Sequence, residues 1–261
     1  MFKTSDGVLI DYQVIGDSPE AIVFLNGVFM HYNSWLFAVE NLKRDFKIVL
    51  HNFRCQWTSQ NAPCSFDRHV EDLKELLKYL GIDNAHLVGT SYGGEVAMHF
   101  AIKYPAFVKT LVVITAAARI NEALKYRAIR WKEGAKTKDP HKFVLSWIDD
   151  VYSDFFLDSH ENLLENIAER MKNFNYDGAV MLLDSFLQMQ KEPLLPKLHG
   201  IKAPTTIVSA QFDRTKPPYF SQEISNAIPN SRHIMIPNCG HAAVVEKPQE
   251  VLSVIKAAIS G

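Results

Sequence analysis

Ser91 stands in a stretch, residues 89–94, that reads Gly-Thr-Ser-Tyr-Gly-Gly and matches the pattern Gly-x-Ser-x-Gly. An apolar run of the strand type, residues 85–88, comes directly before it, and a helix-like segment, residues 95–101, follows it. In this context the pattern is typical of a nucleophilic serine that a tight turn projects away from a sheet. The helix N-terminus also places partial positive charge beside the serine oxygen. Because the same pattern occurs by chance in glycine-containing loops, the prediction depends on partner residues elsewhere.

Asp213 and His241 are the predicted partners of this serine. A serine hydroxyl is a weak nucleophile, so it needs a base to take its proton and a third group to orient that base. Asp213 follows the apolar run 205–210, and His241 follows the run 232–236. Both therefore lie at the carboxyl ends of predicted parallel strands, the sheet edge where Ser91 emerges. Their order, serine then acid then histidine, is typical of Gly-x-Ser-x-Gly enzymes, so the three residues are predicted to form a catalytic triad.

Each of these partners has a simpler alternative. His241 is one of ten histidines, most of which must serve packing or solvation, and Asp213 would serve equally well as a loop-capping carboxylate. Asp177 and Asp184 are weaker candidates for the acid because they lie in a predicted helical insertion. Five histidines lack a position after a strand and are predicted to be structural or solvated: His31, His51, His69, His86 and His99.

An oxyanion hole is the second requirement of this chemistry, because backbone N–H groups must face the oxygen that becomes negative. Tyr92, the residue after the nucleophile, is expected to supply one N–H. The loop after the strand Ala21–Leu25 reads Asn-Gly-Val-Phe, and we expect Val28 to supply the other. The alternative is that Asn26-Gly27 is an ordinary turn.

Composition places the chain among soluble globular proteins, with 47% hydrophobic and 22% charged residues. The net charge of −1 gives no reason to expect nucleic acid or an anionic membrane surface as a partner. No apolar run is long enough for a membrane span and no signal peptide is visible, so a cytoplasmic location is expected. The three cysteines have no metal-ligand spacing and are predicted to be reduced thiols. No metal or organic cofactor is implied, and the sequence sets no oligomeric state.

The order of elements predicts an α/β fold with a mostly parallel central sheet and helices on both faces, because continuous apolar strands alternate with helices. From about residue 117 to 195 no strand is visible, and the alternation then resumes. We therefore predict an α/β core, residues 1–116 and 196–261, and a helical cap, residues 117–195, inserted after the sixth strand. Ser34 is expected to cap a helix that runs to about Leu42.

These motifs together resemble the α/β-hydrolase superfamily over essentially the whole chain. Asn26-Gly27 is similar to its His-Gly oxyanion signature, and residues 89–94 are similar to its nucleophile elbow. The loops around Asp213 and His241 look like its acid and histidine loops. One loop departs from the superfamily: many members carry Asp-x-Arg-Gly-x-Gly-x-Ser where residues 52–59 read Asn-Phe-Arg-Cys-Gln-Trp-Thr-Ser. This departure predicts a loop of different shape, in which Trp57 walls the pocket.

The resemblance and the serine nucleophile together imply acyl chemistry, because superfamily members with Asp at the elbow act on alkyl halides or epoxides instead. The leading expectation is a serine hydrolase for a small, partly apolar ester, lactone or thioester, with a small molecule as its partner. Phe29, Met30, Trp57 and Trp147 are expected to line its pocket, although most cap aromatics are expected to pack against one another.

Other functions stay open at this stage. A narrower resemblance to the acyltransferase that makes the hydroxyalkanoyloxyalkanoate part of rhamnolipids suggests acyl transfer from a thioester to a hydroxy acid. Six basic cap residues would then receive an acyl carrier, although a solvated helix face explains them equally well: Lys125, Arg127, Arg130, Lys132, Lys136 and Lys138. A non-catalytic binding member of the fold, an aminopeptidase and a C–C hydrolase are the remaining alternatives.

Overall fold

A computed structural model describes residues 1–260 and contains nine strands. Two form a small N-terminal hairpin, β1 (Phe2–Lys3) and β2 (Leu9–Ile10). Seven form the central sheet in the order β3-β5-β4-β6-β7-β8-β9. Their bounds are β3 Tyr12–Ile15, β4 Ala21–Leu25, β5 Lys47–His51, β6 Ala85–Thr90, β7 Val108–Ile114, β8 Thr205–Ala210 and β9 Ser231–Ile236. All neighbours pair in parallel except β3 and β5, so the predicted mostly parallel sheet is confirmed.

Helices cover both faces of this sheet. Those that belong to the α/β layers are α1 (Leu36–Leu42), α2 (Phe66–Tyr79), α3 (Tyr92–Lys103), α10 (Pro218–Ala227), α11 (Ala243–Glu246) and α12 (Pro248–Ile259). Those between β7 and β8 are α4 (Glu122–Lys136), α5 (Pro140–Leu145), α6 (Ile148–Val151), α7 (Asp154–Ser159), α8 (Leu163–Arg170) and α9 (Tyr176–Gln188). No helix within residues 1–260 combines the length and the apolar character that a membrane crossing requires.

The buried strand β4 shows why the sheet lies between two layers. All five of its residues are buried, and they alternate between two hydrophobic clusters. Val23 and Leu25 join a cluster that includes α2, α3 and the helices between β7 and β8. Ile22 and Phe24 join a second cluster on the other face, with α1 and α12. Because successive strand residues point to opposite faces, a continuous apolar run is what such a two-sided core requires.

Residues 117–195, which make up most of the connection between β7 and β8, are called the cap here. It follows the seventh strand of the chain, and not the sixth as the sequence suggested. The reason is that the N-terminal segment divides into three short strands, two of which lie outside the central sheet. Phe143 and Leu182 of the cap belong to the same hydrophobic cluster as Val23 and Leu25, so cap and sheet share one continuous core.

The helix that was predicted to start at Ser34 begins differently. A short 3-10 turn, Tyr32–Trp35, comes first, and His31 Nδ1 caps it by accepting a hydrogen bond from the Asn33 N–H. Helix α1 then starts at Leu36, and its capping residue, Trp35, makes no side-chain capping bond. The expected capping role of Ser34 is therefore wrong, because the chain turns before the helix rather than at its first residue.

Candidate active site

Ser91 occupies the tight turn between β6 and α3. Its backbone has φ 51° and ψ −119°, a region in which non-glycine residues are strained. A side-chain carbon at Gly89 would lie 2.4 Å from the Gly93 carbonyl oxygen, and one at Gly93 would lie 2.2 Å from the Leu25 carbonyl oxygen. Only glycine therefore lets strand, turn and helix approach so closely. The turn carries Ser91 to the carboxyl edge of the sheet with its side chain free to make contacts beyond it.

Ser91, His241 and Asp213 form a continuous hydrogen-bonded chain. His241 Nε2 lies 2.9 Å from Ser91 Oγ, and His241 Nδ1 lies 2.8 Å from Asp213 Oδ2. A carboxylate accepts and cannot donate, so Nδ1 carries the proton and Nε2 is left to accept one from the serine hydroxyl. Asp213 follows β8 and His241 follows β9, as predicted, and both side chains are buried. The structure thus brings together the three residues that the sequence paired.

The two expected oxyanion donors flank the serine. Val28 lies in the loop after β4 and Tyr92 at the first position of α3, and both line the cavity beside Ser91. Within residues 1–260 neither backbone N–H has a hydrogen-bond partner. Two unpaired N–H groups next to a serine oxygen can stabilise a negative oxygen that develops there.

Asn26 and Gln56 hold the Val28 loop from below, a function that the sequence did not predict. Gln56 Nε2 donates to the carbonyl oxygens of Gly27 (2.8 Å) and Val28 (3.2 Å). Asn26 Nδ2 donates to Gln56 Oε1 at 3.1 Å, and Asn26 Oδ1 accepts from Trp35 Nε1 at 3.0 Å. Both amide side chains are buried. The unusual Gln56 in the altered loop 52–59 was the available signal.

Lys216 and Glu95 form a buried ion pair beside the nucleophile, which the sequence analysis missed. Lys216 Nζ lies 2.5 Å from Glu95 Oε1 and 3.1 Å from Ser91 Oγ. Burial raises the pKa of the Glu95 carboxyl, and the Lys216 charge opposes this effect. The signal in the sequence was a glutamate in the otherwise apolar stretch after the nucleophile turn. Because Lys216 donates to Ser91 Oγ, the serine hydroxyl hydrogen is directed toward His241.

Two cavities meet at Ser91. The small cavity, about 20 Å³, is lined mainly by Glu95, Lys216 and apolar residues of α4 and α9. The large cavity, about 780 Å³, lies on the His241 side. The four predicted pocket residues all line the large cavity: Phe29, Met30, Trp57 and Trp147. Phe29 also stacks edge-to-face on Phe143 at 4.9 Å, so the pocket wall and the cap core are one aromatic cluster.

The weaker acid candidates lie away from this chemistry. Asp177 pairs with Lys138, and Asp184 pairs with Lys132, both on the exposed surface of the cap. The other four of the six basic residues named from the sequence are paired as well: Lys125 with Glu122, Arg127 and Arg130 with Asp150, and Lys136 with Glu133. The cap therefore presents balanced charges rather than a cationic face.

The five histidines that were set aside take no part in the triad. His31 lines the outer part of the large cavity, and His86 bonds Thr110 and Glu20 at the amino end of the sheet. Burial lowers the pKa of the other three from 6.5 to about 4 for His51, about 3 for His69 and about 4 for His99. These three side chains are therefore neutral over a wide pH range.

The family of the chain follows from a match along most of its length. Residues 20–248 match the model of the alpha/beta hydrolase fold. The chain belongs to the alpha/beta hydrolase family, as the sequence motifs suggested.

Individual relatives cover nearly the whole chain. The chain is 26% identical over 243 residues to a putative carbamate hydrolase, RutD, of Pantoea ananatis, which covers 91% of this chain and 88% of that protein. It is 23% identical to the human monoacylglycerol lipase ABHD6, over 92% of this chain and 75% of that protein. Among solved structures, an alpha/beta hydrolase enzyme, MGS-M2, from a Medee basin deep-sea metagenome library is 30% identical with a TM-score of 0.90, covering 97% of this chain and 95% of that one. A solved structure named as an alpha/beta hydrolase enzyme thus shares the fold over nearly the whole chain.

Proposed function

We propose that this protein is a serine hydrolase that cleaves a small, partly apolar carboxylic ester, lactone or thioester through an acyl-enzyme intermediate. The observation that carries the proposal is the chain from Ser91 Oγ through His241 to buried Asp213, with contacts of 2.9 and 2.8 Å. Two unpaired backbone N–H groups beside the serine add to it. The hydrolase relatives agree with this reaction class.

In the first half of the reaction, Ser91 Oγ attacks the acyl carbon as its proton passes to His241 Nε2. The Val28 and Tyr92 N–H groups stabilise the negative oxygen of the tetrahedral intermediate. His241 then gives the proton to the leaving oxygen or sulfur, and the acyl group stays on Ser91. Asp213 keeps Nδ1 protonated and stabilises the imidazolium that forms in between.

The second half repeats these steps with water in place of serine. His241 takes a proton from water, the hydroxide attacks the acyl carbon, and the Ser91 oxygen leaves with the proton. His241 exchanges protons with both the leaving group and water. Both must therefore lie on the side of Ser91 that faces His241. We therefore assign the large cavity, which His241 lines, to the leaving group and the small cavity to a short acyl group.

Acyl transfer to a hydroxy acid is the second candidate, since it uses the same acyl-enzyme. The size of the large cavity favours it, because about 780 Å³ beside His241 can hold an acceptor alcohol as well as water. The paired charges of the cap argue against docking of an acidic acyl carrier. Incubation with an acyl thioester and a hydroxy acid separates the two reactions, because hydrolysis yields free acid and transfer yields a new ester.

Labelling with a fluorophosphonate tests the proposal. This reagent forms a stable bond with an activated serine, so wild type should take up one label per chain and Ser91→Ala none. Ser209→Ala is the matched control, because Ser209 is a buried serine of β8 that bonds His233 and not the triad. It should label like wild type. An unlabelled wild type, or equal labelling of Ser91→Ala, would contradict the proposal.

A further inference from the structure

The ion pair between Lys216 and Glu95 has more hydrogen-bonding capacity than the protein itself uses. The side chains are 3% and 0% exposed, so neither charge is solvated. Glu95 Oε1 accepts from both Lys216 Nζ and the Ala117 N–H. Within residues 1–260, Glu95 Oε2 has no hydrogen-bond partner although it is buried. An unpaired buried acceptor is destabilising, so its presence calls for an explanation.

Stability does not supply that explanation. A buried ion pair contributes little net stability, since the desolvation of both charges offsets their attraction. The chemistry proposed above does not require Glu95 either, because His241 already acts as the base and Asp213 as its orienting acid. The pair nevertheless lies at the nucleophile, where Lys216 Nζ is 3.1 Å from Ser91 Oγ. Both residues line the small cavity.

The pair gives the small cavity one polar wall in otherwise apolar surroundings. Leu124, Ala128, Leu183 and Phe186 form much of the rest, and Lys216 Nζ lies 5.2 Å from the Phe186 ring centroid. The cavity volume of about 20 Å³ is close to that of a single small group. A long acyl chain does not fit there, whereas one polar substituent close to the acyl carbon does.

The chemistry of the wall selects the substituent. Lys216 donates and Glu95 Oε2 accepts, so the matching group must both accept and donate one hydrogen bond. A hydroxyl does both. A second carboxylate would lie against the Glu95 charge, an ammonium group would lie against the Lys216 charge, and an alkyl group would leave Oε2 unpaired.

We propose that Lys216 and Glu95 form a subsite for a 2-hydroxyacyl group, an inference that rests on the proposed function. The hydroxyl on the carbon next to the acyl carbon would donate to Glu95 Oε2 and accept from Lys216 Nζ. Lys216 Nζ carries three N–H donors and uses one for Glu95 and one for Ser91, so the third is available to this hydroxyl. The pair is thus a specificity determinant for short acyl groups that carry this hydroxyl.

Three ethyl esters of similar size test the subsite: propanoate, 2-hydroxypropanoate and 2-fluoropropanoate. Fluorine withdraws electrons as oxygen does but donates no hydrogen bond, so it controls for the intrinsic reactivity of the ester. Each kcat/KM is divided by the rate constant for hydroxide hydrolysis of the same ester. Wild type should then favour 2-hydroxypropanoate over both others by at least about tenfold, the effect of one hydrogen bond to a charged group.

Glu95→Gln should reduce this preference to about threefold or less, because the amide keeps the shape of the side chain and loses the carboxylate acceptor. Asp72→Asn is the matched control, since Asp72 is a buried carboxylate that pairs with Arg54 outside both cavities. It should keep the wild-type preference. The measured quantity is a ratio between substrates, so it does not depend on how much of a variant is folded.

Equal normalised rates for the hydroxy and unsubstituted esters in wild type would overturn the subsite, and this result needs no variant. An equal gain from fluorine, or an unchanged preference in Glu95→Gln, would overturn it too. In each of these cases ester hydrolysis that is lost in Ser91→Ala would leave the proposed function in place. If wild type hydrolysed none of the three esters, the subsite would be overturned, whereas the proposed function would fail only if fluorophosphonate also left Ser91 unlabelled.

Discussion

The two cavities at Ser91 differ in size by more than an order of magnitude, about 20 against about 780 Å³. The small cavity lies against helices α4 and α9 and is bordered by the buried ion pair of Lys216 and Glu95. The large cavity is lined by aromatic rings and reaches exposed residues such as Arg170. We therefore expect one side of Ser91 to discriminate among substrate groups and the other to accept a range of them. For a reaction that passes through an acyl-enzyme, this division predicts strict selection of the acyl group and tolerance of the leaving group.

Gln56→Met should cause the largest effect, because the Val28 loop that Gln56 holds borders both cavities. We expect kcat to fall about 100-fold for every ester, close to the loss of one oxyanion donor. The measurement is steady-state kinetics on two series of esters, one that varies in the acyl group and one that varies in the alcohol. Gln60→Met is the control. Gln60 is exposed, lies in the same connection between β5 and α2, and within residues 1–260 forms hydrogen bonds only with Leu9 and Cys55. A loss confined to one series of esters would contradict the shared role.

Acyl length should have the next largest effect. Lengthening the acyl chain from propanoyl to hexanoyl should lower kcat/KM at least about 100-fold, since even one surplus methylene can reduce it tenfold. Lengthening the alcohol by the same number of methylenes should change kcat/KM by less than about fivefold. Phe186→Leu should recover part of the loss by widening the small cavity, whereas Phe174→Leu should not, because Phe174 packs within the cap aromatic cluster. Equal sensitivity to both lengths would refute the division of roles.

Trp57→Phe should have a smaller effect, restricted to the leaving-group side. It removes the hydrogen bond from Trp57 Nε1 to the Phe29 carbonyl oxygen (3.1 Å) but keeps an aromatic wall in the large cavity. We expect KM for esters of bulky alcohols to rise about threefold with kcat unchanged, the effect of about one weak contact. A change in acyl-chain selectivity would show that the two cavities are not independent.

The ester assays require a pH at which the protein stays folded. Three histidines with lowered pKa values determine how the stability of the fold falls at acidic pH. In the unfolded chain, histidines bind protons below about pH 6.5. In the folded protein the pKa values are lower, about 4 for His51, 3 for His69 and 4 for His99, so these side chains bind protons only in more acidic solution. The unfolded state then holds more protons, so the free energy of unfolding decreases as the pH falls from about 6.5 to 4. Each histidine contributes at most about 1.4 kcal/mol per pH unit.

His99→Phe isolates one of these contributions. The His99 ring is stacked on Phe66 with centroids 4.9 Å apart, so phenylalanine fits the site without a titrating group. The slope of unfolding free energy against pH should become shallower by about 1.4 kcal/mol per pH unit between pH 6 and 5. Urea unfolding at a series of pH values measures it. Parallel curves for variant and wild type would contradict the assignment.

Features that depend on local sequence were predictable. The strand Thr205–Ala210 has the predicted bounds, because a continuous apolar run is a local signal. The geometry at Ser91 also follows from neighbouring residues, since Gly89 and Gly93 permit the turn. Asp213 and His241 could be paired with it because their positions after strands place them at one sheet edge.

Contacts between distant residues could not be predicted in this way. Lys216 and Glu95 lie 121 positions apart, and although Glu95 stands out in an apolar stretch, no local signal identifies Lys216 as its partner. Gln56 was visible as a departure from the superfamily pattern, but its bonds to the Val28 loop depend on how two loops meet. Such pairings arise from tertiary packing, which no local pattern encodes.

The loop after β8 joins the two halves of the site through four residues. Asp213 Oδ1 accepts a hydrogen bond from the Lys216 backbone N–H at 2.7 Å, so the proposed triad acid holds the residue that we propose as a contact of the acyl group. A mutation that moved this loop to suit a new acyl group would also shift the acid that orients His241. Leu124, Ala128, Leu183 and Phe186 line the small cavity from the cap, far along the chain from the loop that carries Asp213. Directed evolution toward other acyl groups should therefore accumulate its first useful mutations in helices α4 and α9.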